Sequence, residues 1–227
     1  MSSARARARR VHERLVQFYG YPDWRSPLPP LEELISTVLS QSTNDANRDR
    51  AFDALRKRWP TWLAVSQAPL AEVVEAIHSA GLSRQKGPRI QEILRRAYAE
   101  RGAMDLEFLR HKSREDAESW LRKLPGVGPK TASIVMLFSL GIPAFPVDTH
   151  VYRVTGRLGL RPARQPYEAA HKHLARLFLP GDYAADHLNL IRLGREICQA
   201  RIPRCSICPL RRLCPVGRAS GKGARKS

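Results

Sequence analysis

Lys130 and Asp148 are the side chains of this 227-residue chain whose types and setting suit covalent chemistry on an electrophilic carbon. An ordinary lysine, with a pKa of about 10.4, is almost wholly protonated at neutral pH, so nucleophilic work needs a lowered pKa or a proton removed during the reaction. A helix N-terminus and burial lower that pKa, whereas a nearby carboxylate raises it. Asp148 therefore fits better as a stabiliser of developing positive charge and a handler of protons than as the group that neutralises Lys130. The 18-residue spacing allows amine and carboxylate to share one side of a cleft. Two plainer roles stay open: Asp148 as the cap of a helix starting at Thr149, and Lys130 as a phosphate contact. A second set of reactive side chains closes the chain, Cys198-x6-Cys205-x2-Cys208-x5-Cys214, with no cysteine earlier. Four thiolates hold either tetrahedral zinc or an iron–sulfur cluster, and spacing alone does not choose.

The elements that must position these groups are helical. Leu31, Ile35, Val38 and Leu39 share one helical face, as do Leu70, Val73, Val74 and Ile77, and then Ile90, Ile93, Leu94 and Ala97. No comparable run alternates with period two, so an all-α fold is expected. Gly81 and Pro88 bracket an expected short turn, and Ser113 with Asp116 resembles a capping-box helix start. The run from Lys130 to Leu140, apolar on nearly every side apart from its first residue, is expected to be a buried central helix. Further helices are expected at about 150–158, 166–178 and 183–198, and the Gly/Lys/Arg-rich tail, about 217–227, is expected to be disordered.

Leu124-Pro125-Gly126-Val127-Gly128-Pro129-Lys130 joins two of these helices. Its glycines allow close backbone approach, Pro129 suits a first helical position, and the N–H groups that follow can hold a phosphate. The plain alternative is a tight helix–helix corner. Charge favours the phosphate: 39 Lys and Arg against 21 Asp and Glu give +18, with the basic residues spread along the chain. The segment Ala4–Arg10 alternates Ala and Arg without the apolar core of a signal peptide, and no stretch is long enough to span a membrane. These features lead to an expectation of a cytoplasmic protein, where clustered cysteines bind metal more often than they form disulfides.

Taken together, the Leu124–Ala132 segment, Val147-Asp148-Thr149-His150 and the four-cysteine ending resemble the endonuclease III family of base-excision DNA glycosylases. The resemblance covers roughly residues 12–216. It implies a two-domain helix-hairpin-helix fold with a six-helix domain at 28–141, and a domain at 1–27 plus 142–227 carrying a [4Fe-4S] cluster on Cys198, Cys205, Cys208 and Cys214. It further implies a monomer acting on damaged double-stranded DNA, with the active site between the domains. Lys130 would attack C1′ of a damaged nucleotide, displace the base, form a Schiff base and cut the strand by β-elimination, with Asp148 assisting base departure.

By the same resemblance, Gly126, Val127, Gly128, Lys130 and Thr131 contact DNA, and Leu82 wedges the gap left by an extruded nucleotide. On hydrophobicity alone Leu82 is an ordinary turn or core leucine. The opposite wedge departs from the family pattern, because Leu39-Ser40-Gln41-Ser42-Thr43-Asn44-Asp45 puts Ser42 where the family has glutamine. Serine is too short to fill the space, which leaves the lesion range open and makes Gln41 the substitute to test. Arg201 and Arg204, between the first two cysteines, are candidate phosphate contacts or a solvated face. His150 is expected to support the site structurally, and Trp24, Trp59, Trp62 and Trp120 to pack. The leading function is a bifunctional glycosylase and abasic-site lyase for oxidised pyrimidines. The competing readings are a shifted lesion range, chiefly lyase activity, or a non-catalytic DNA-binding protein.

Overall fold

A computed structural model describes residues 3–23 and 27–220. Trp24 and residues 221–227 of the expected tail lie outside them. The tail expectation needs correction nearer its start, because Gly217 belongs to a short helix in which Pro215 supplies a favoured first position and Gly217 is buried.

Helix α1 (Ser3–Tyr19) turns the Ala/Arg alternation to use: Ala8, Val11 and Leu15, spaced three and four apart, are fully buried. Arg5 donates to the Arg176 carbonyl and Arg7 to that of Leu158. The chain then builds α2 (Pro30–Leu39), α3 (Asp45–Arg58), α4 (Trp62–Gln67), α5 (Leu70–Ala76), α6 (Ser83–Arg101), α7 (Arg114–Arg122) and α8 (Pro129–Val135). Helix α8 runs on through a wider π-helical turn, Met136–Leu140. Side-chain caps start three of these helices: Asn44 accepts from the Asn47 amide, Thr61 from Ala64 and Ser113 from Asp116. Four further helices complete the chain: α9 (Thr149–Arg157), α10 (Tyr167–Ala175), α11 (Tyr183–Glu196) and α12 (Pro215–Ala219). No strand occurs among the described residues, as an all-α fold requires.

Two compact units result, Ser26–Ile142 and the pair of segments Met1–Arg25 with Pro143–Ser227. In the first, α2 packs on α3 and α8, and α6 packs on α4 and α5. Leu34, Ile35, Val38 and Leu39 of α2 are all fully buried, and each such side chain contributes about 1.5–3 kcal/mol through loss of apolar surface to water. The face predicted for α6, Ile90, Ile93, Leu94 and Ala97, is buried as expected. Leu70, expected to share the buried face of α5, is instead exposed at that helix's first position. Pro88 lies within α6 and does not bound a turn. It sits on the exposed side, so the helix forfeits one solvated hydrogen bond while its buried face holds it together.

In the second unit, α11 packs on α1 and α9. Phe145 stacks on Phe178 with centroids 5.0 Å apart and meets Tyr183 edge-on at 5.3 Å. His12 Nδ1 and Asp186 Oδ1, 2.9 Å apart, tie α1 to α11. Burial pushes the Asp186 carboxyl up to about 7, with His12 pulling the other way.

Candidate functional site

The hairpin between α7 and α8 is built from backbone. Gly126 has φ +75°, a left-handed conformation that suits glycine, and a Cβ there would lie 2.9 Å from the Arg89 side chain. The Val127 amide donates to the Leu124 carbonyl, Val127 itself is buried, and Gly126 and Gly128 are exposed. Pro129 occupies the first position of α8 and Lys130 the second, half-buried, while the Thr131 side chain turns into the core. Of the predicted hairpin contacts, then, the glycines and Lys130 reach the surface, and the Val127 and Thr131 side chains support them from beneath.

Two turns in the same unit carry the predicted wedges. Ser42 (φ 55°) and Leu82 (φ 51°) are the only non-glycine residues with positive φ among those described. A β-carbon makes that conformation unfavourable, and such outliers collect at functional sites. Leu82 is exposed and precedes α6, so of the plain readings it is a turn leucine and not a core one. Ser42 is also exposed, and the Gln41 amide donates to the Gly126 carbonyl at 3.0 Å.

Beneath both turns lies Lys86, 1% exposed, whose Nζ donates to the Leu39 and Ala80 carbonyls at 2.8 Å each. Burial pulls its ammonium from 10.5 down to about 8. The folded protein therefore loses this proton before the unfolded chain does, and the penalty for burying the charge fades as pH rises from about 8 towards 10. Chemical denaturation across that window should show wild-type protein gaining stability relative to Lys86→Met. A constant difference would mean that the folded amine keeps its proton as long as the unfolded one does, so that burial does not lower its pKa.

In the other unit, Asp148 is the N-cap of α9, its Oδ1 accepting from the Val151 amide at 2.7 Å. The stretch leading to it forms neither helix nor strand, yet three side chains hold its successive carbonyls. His171 Nδ1 lies 3.3 Å from the Phe145 oxygen, His187 Nδ1 lies 3.0 Å from that of Pro146, and the Tyr167 hydroxyl donates to that of Val147. Burial, and then the charge of Asp148, push the Tyr167 phenol up to about 12, so it stays a donor at any ordinary pH. Sequence reasoning missed these three residues.

A family model described as the HhH-GPD superfamily of base excision DNA repair proteins matches residues 35–180. Endonuclease III of Bacillus subtilis is 37% identical over 196 residues, covering 85% of this chain and 84% of its own. Endonuclease III of Thermotoga maritima is 35% identical over 204 residues, 89% of this chain and 91% of its own. A solved structure of a trapped endonuclease III–DNA covalent intermediate, an estranged-adenine complex, superposes with a TM-score of 0.82 at 30% identity, covering 96% of this chain and 98% of that one. The chain belongs to the endonuclease III family.

In this endonuclease III-family chain, α9 also grips the cysteine loop. Arg153 donates to the Cys198 and Gly194 carbonyls, and Arg157 to the Gln199 and Ala200 carbonyls and the Cys198 sulfur. His150 lies 3.1 Å from Arg153 through Nδ1, where a Cβ on Gly194 would come within 2.8 Å of its side chain. All four cysteines line one cavity with Ile197 and Pro203, while Arg201 and Arg204 are exposed on the loop. Trp62 is buried beneath the Arg56 guanidinium, and Trp120 packs edge-on against Phe108. No helix among the described residues is long and apolar enough to cross a membrane.

Proposed function

We propose that this protein is a bifunctional DNA glycosylase and abasic-site lyase that removes oxidised pyrimidines from duplex DNA, with Lys130 as nucleophile and Asp148 as its acidic partner. The observation that carries the reading is Lys130 itself: a primary amine in the first turn of α8, directly after the hairpin, in a chain that superposes on an endonuclease III trapped covalently on DNA. Backbone N–H groups of the hairpin and the start of α8 bind a phosphate of the damaged strand. The Lys130 amine attacks C1′ of the extruded nucleotide, and the bond to the base breaks as the base takes up a proton. Asp148 stabilises positive charge developing on the sugar and moves protons during ring opening. The resulting iminium makes the C2′ proton acidic, so its removal expels the 3′ phosphate by β-elimination, and hydrolysis frees the lysine.

Cys198, Cys205, Cys208 and Cys214 are proposed to hold a [4Fe-4S] cluster. The four cysteines line one cavity. Four thiolates suit a [4Fe-4S] cluster or one zinc ion, and the likeness to endonuclease III favours the cluster. Bound there, the cluster would cross-link the loop that presents Arg201 and Arg204 to phosphates.

Incubation with duplexes containing thymine glycol, uracil or an abasic site, in the presence of borohydride, tests the function. Trapped adducts are expected with thymine glycol and the abasic site. Trapping confined to the abasic site would make the protein chiefly a lyase, and no trapping with DNA affinity retained would make it a binding protein. Purified protein is expected to contain iron and acid-labile sulfide and to lose its visible absorption in Cys208→Ser; stoichiometric zinc would refute the cluster.

A further inference from the structure

The two backbone outliers of the first unit share one buried tether. Leu39 ends α2 three residues before Ser42, and Ala80 ends the short 3₁₀ turn His78–Ala80 two residues before Leu82. Each terminal carbonyl lies at the negative end of its helix, a favourable place for a cation, and the Lys86 ammonium bonds both. Its four-carbon stem is enclosed, so the amine cannot swing away without opening the core. Apolar packing alone would let two surface turns shift independently. A buried donor bonded to the base of each does not. The third connection, from Gln41 to the Gly126 carbonyl, ties the same turn to the hairpin.

We propose that Lys86 is a positioning residue that fixes the Ser40–Thr43 and Gly81–Leu82 turns to each other, so that the two wedges enter a duplex as one preset pair. This rests on the reading that both turns insert at the damaged base pair. Inserting a preset pair avoids ordering two turns while the nucleotide leaves the stack, which lowers the cost of extrusion. Lys86 touches neither the sugar nor the base and takes no part in bond making. Its effect is therefore confined to substrates whose nucleotide must be extruded.

Single-turnover cleavage at saturating enzyme is to be compared on two probes: an abasic site in a fully paired duplex, and the same site within a short mismatched bubble, where unstacking is already done. Lys86→Met is expected to slow the paired probe about tenfold while changing the bubble less than about threefold. A fluorescent 2-aminopurine beside the site should show a correspondingly slower unstacking signal on the paired probe. Equal losses on both probes, or none on the paired one, would overturn the proposal, since a merely structural lysine cannot distinguish them. Should Lys86→Met fail to fold, Lys86→Gln, whose side chain is one bond shorter and so cannot hold both carbonyls as the lysine does, makes the same discrimination. Leu82→Ala separates the proposal from the reading beneath it. If Leu82→Ala slows the paired probe selectively and the Lys86 variants do not, the tether is wrong and the wedge stands. If Leu82→Ala has no selective effect, the wedge reading itself fails.

Discussion

Lys130→Ala should give no borohydride-trapped adduct and no strand cleavage, with base excision slowed by about 10³-fold or more. The size of the effect follows from the chemistry, because a methyl group offers no electron pair to C1′ and no iminium to drive elimination. Folding should be barely affected. Lys130 is half-buried in the first turn of α8, where a cation opposes the helix dipole, so its removal is worth no more than about 1 kcal/mol either way. DNA binding should persist, since the backbone N–H groups proposed to meet phosphate are left in place by the substitution. Denaturation midpoints, duplex affinity and trapping measured on one preparation therefore separate the assignments. An adduct in the alanine variant as abundant as in wild type would place the nucleophile elsewhere.

Asp148 calls for two substitutions, because its carboxylate already has a structural task as the cap of α9. Asparagine caps helices about as well as aspartate, its side-chain oxygen accepting the same Val151 amide, but it carries no charge and takes up no proton. Asp148→Asn should therefore melt close to wild type while excising a damaged base roughly 10²–10⁴-fold more slowly. Asp148→Ala should lose as much activity and, in addition, about 1 kcal/mol of stability from the missing cap. If Asp148→Asn kept full excision activity, capping would be the only role of this residue. The three-carbonyl clamp of His171, His187 and Tyr167 makes the comparison clean, because it fixes the approach to Asp148 independently of the residue's own side chain.

Much of this site was legible in the order of residues, for definite reasons. Capping is a local interaction, so Asp148 before Val151 and Ser113 before Asp116 could be recognised within four residues, and both bonds are present. Periodicity places the α6 core, and its next residue in register toward the N-terminus is a lysine. Lys86 lies four before Ile90 and seven before Ile93, and a lysine in the core register was itself the signal of a buried tether. Pro88 reads as a boundary in the sequence, whereas on an exposed helical side its cost is a single hydrogen bond. The clamp was harder to see. His171, His187 and Tyr167 lie 20 to 41 residues from the carbonyls they hold, and no spacing rule reaches that far. Their clue is composition: polar rings on apolar helix faces, following a stretch with prolines at 143 and 146 whose carbonyls have no helix or strand to pair with.

The interleaving of the two units also sets an order of assembly at the ribosome. Ser26–Ile142 is one unbroken segment, so every contact within it becomes available once that segment has emerged. Helix α1 is made earlier but finds its partners far later: His12 waits 174 residues for Asp186, and Arg5 waits 171 for Arg176. At synthesis rates of about 5–20 residues per second, that is a delay of roughly 10–35 seconds. During it, the Ala8, Val11 and Leu15 stripe has nothing of its own unit to cover it. The arginines flanking that stripe at positions 5, 7, 9, 10 and 14 keep the waiting segment charged and soluble. Two of these arginines, Arg5 and Arg7, later become the bonds that fasten α1 into its unit.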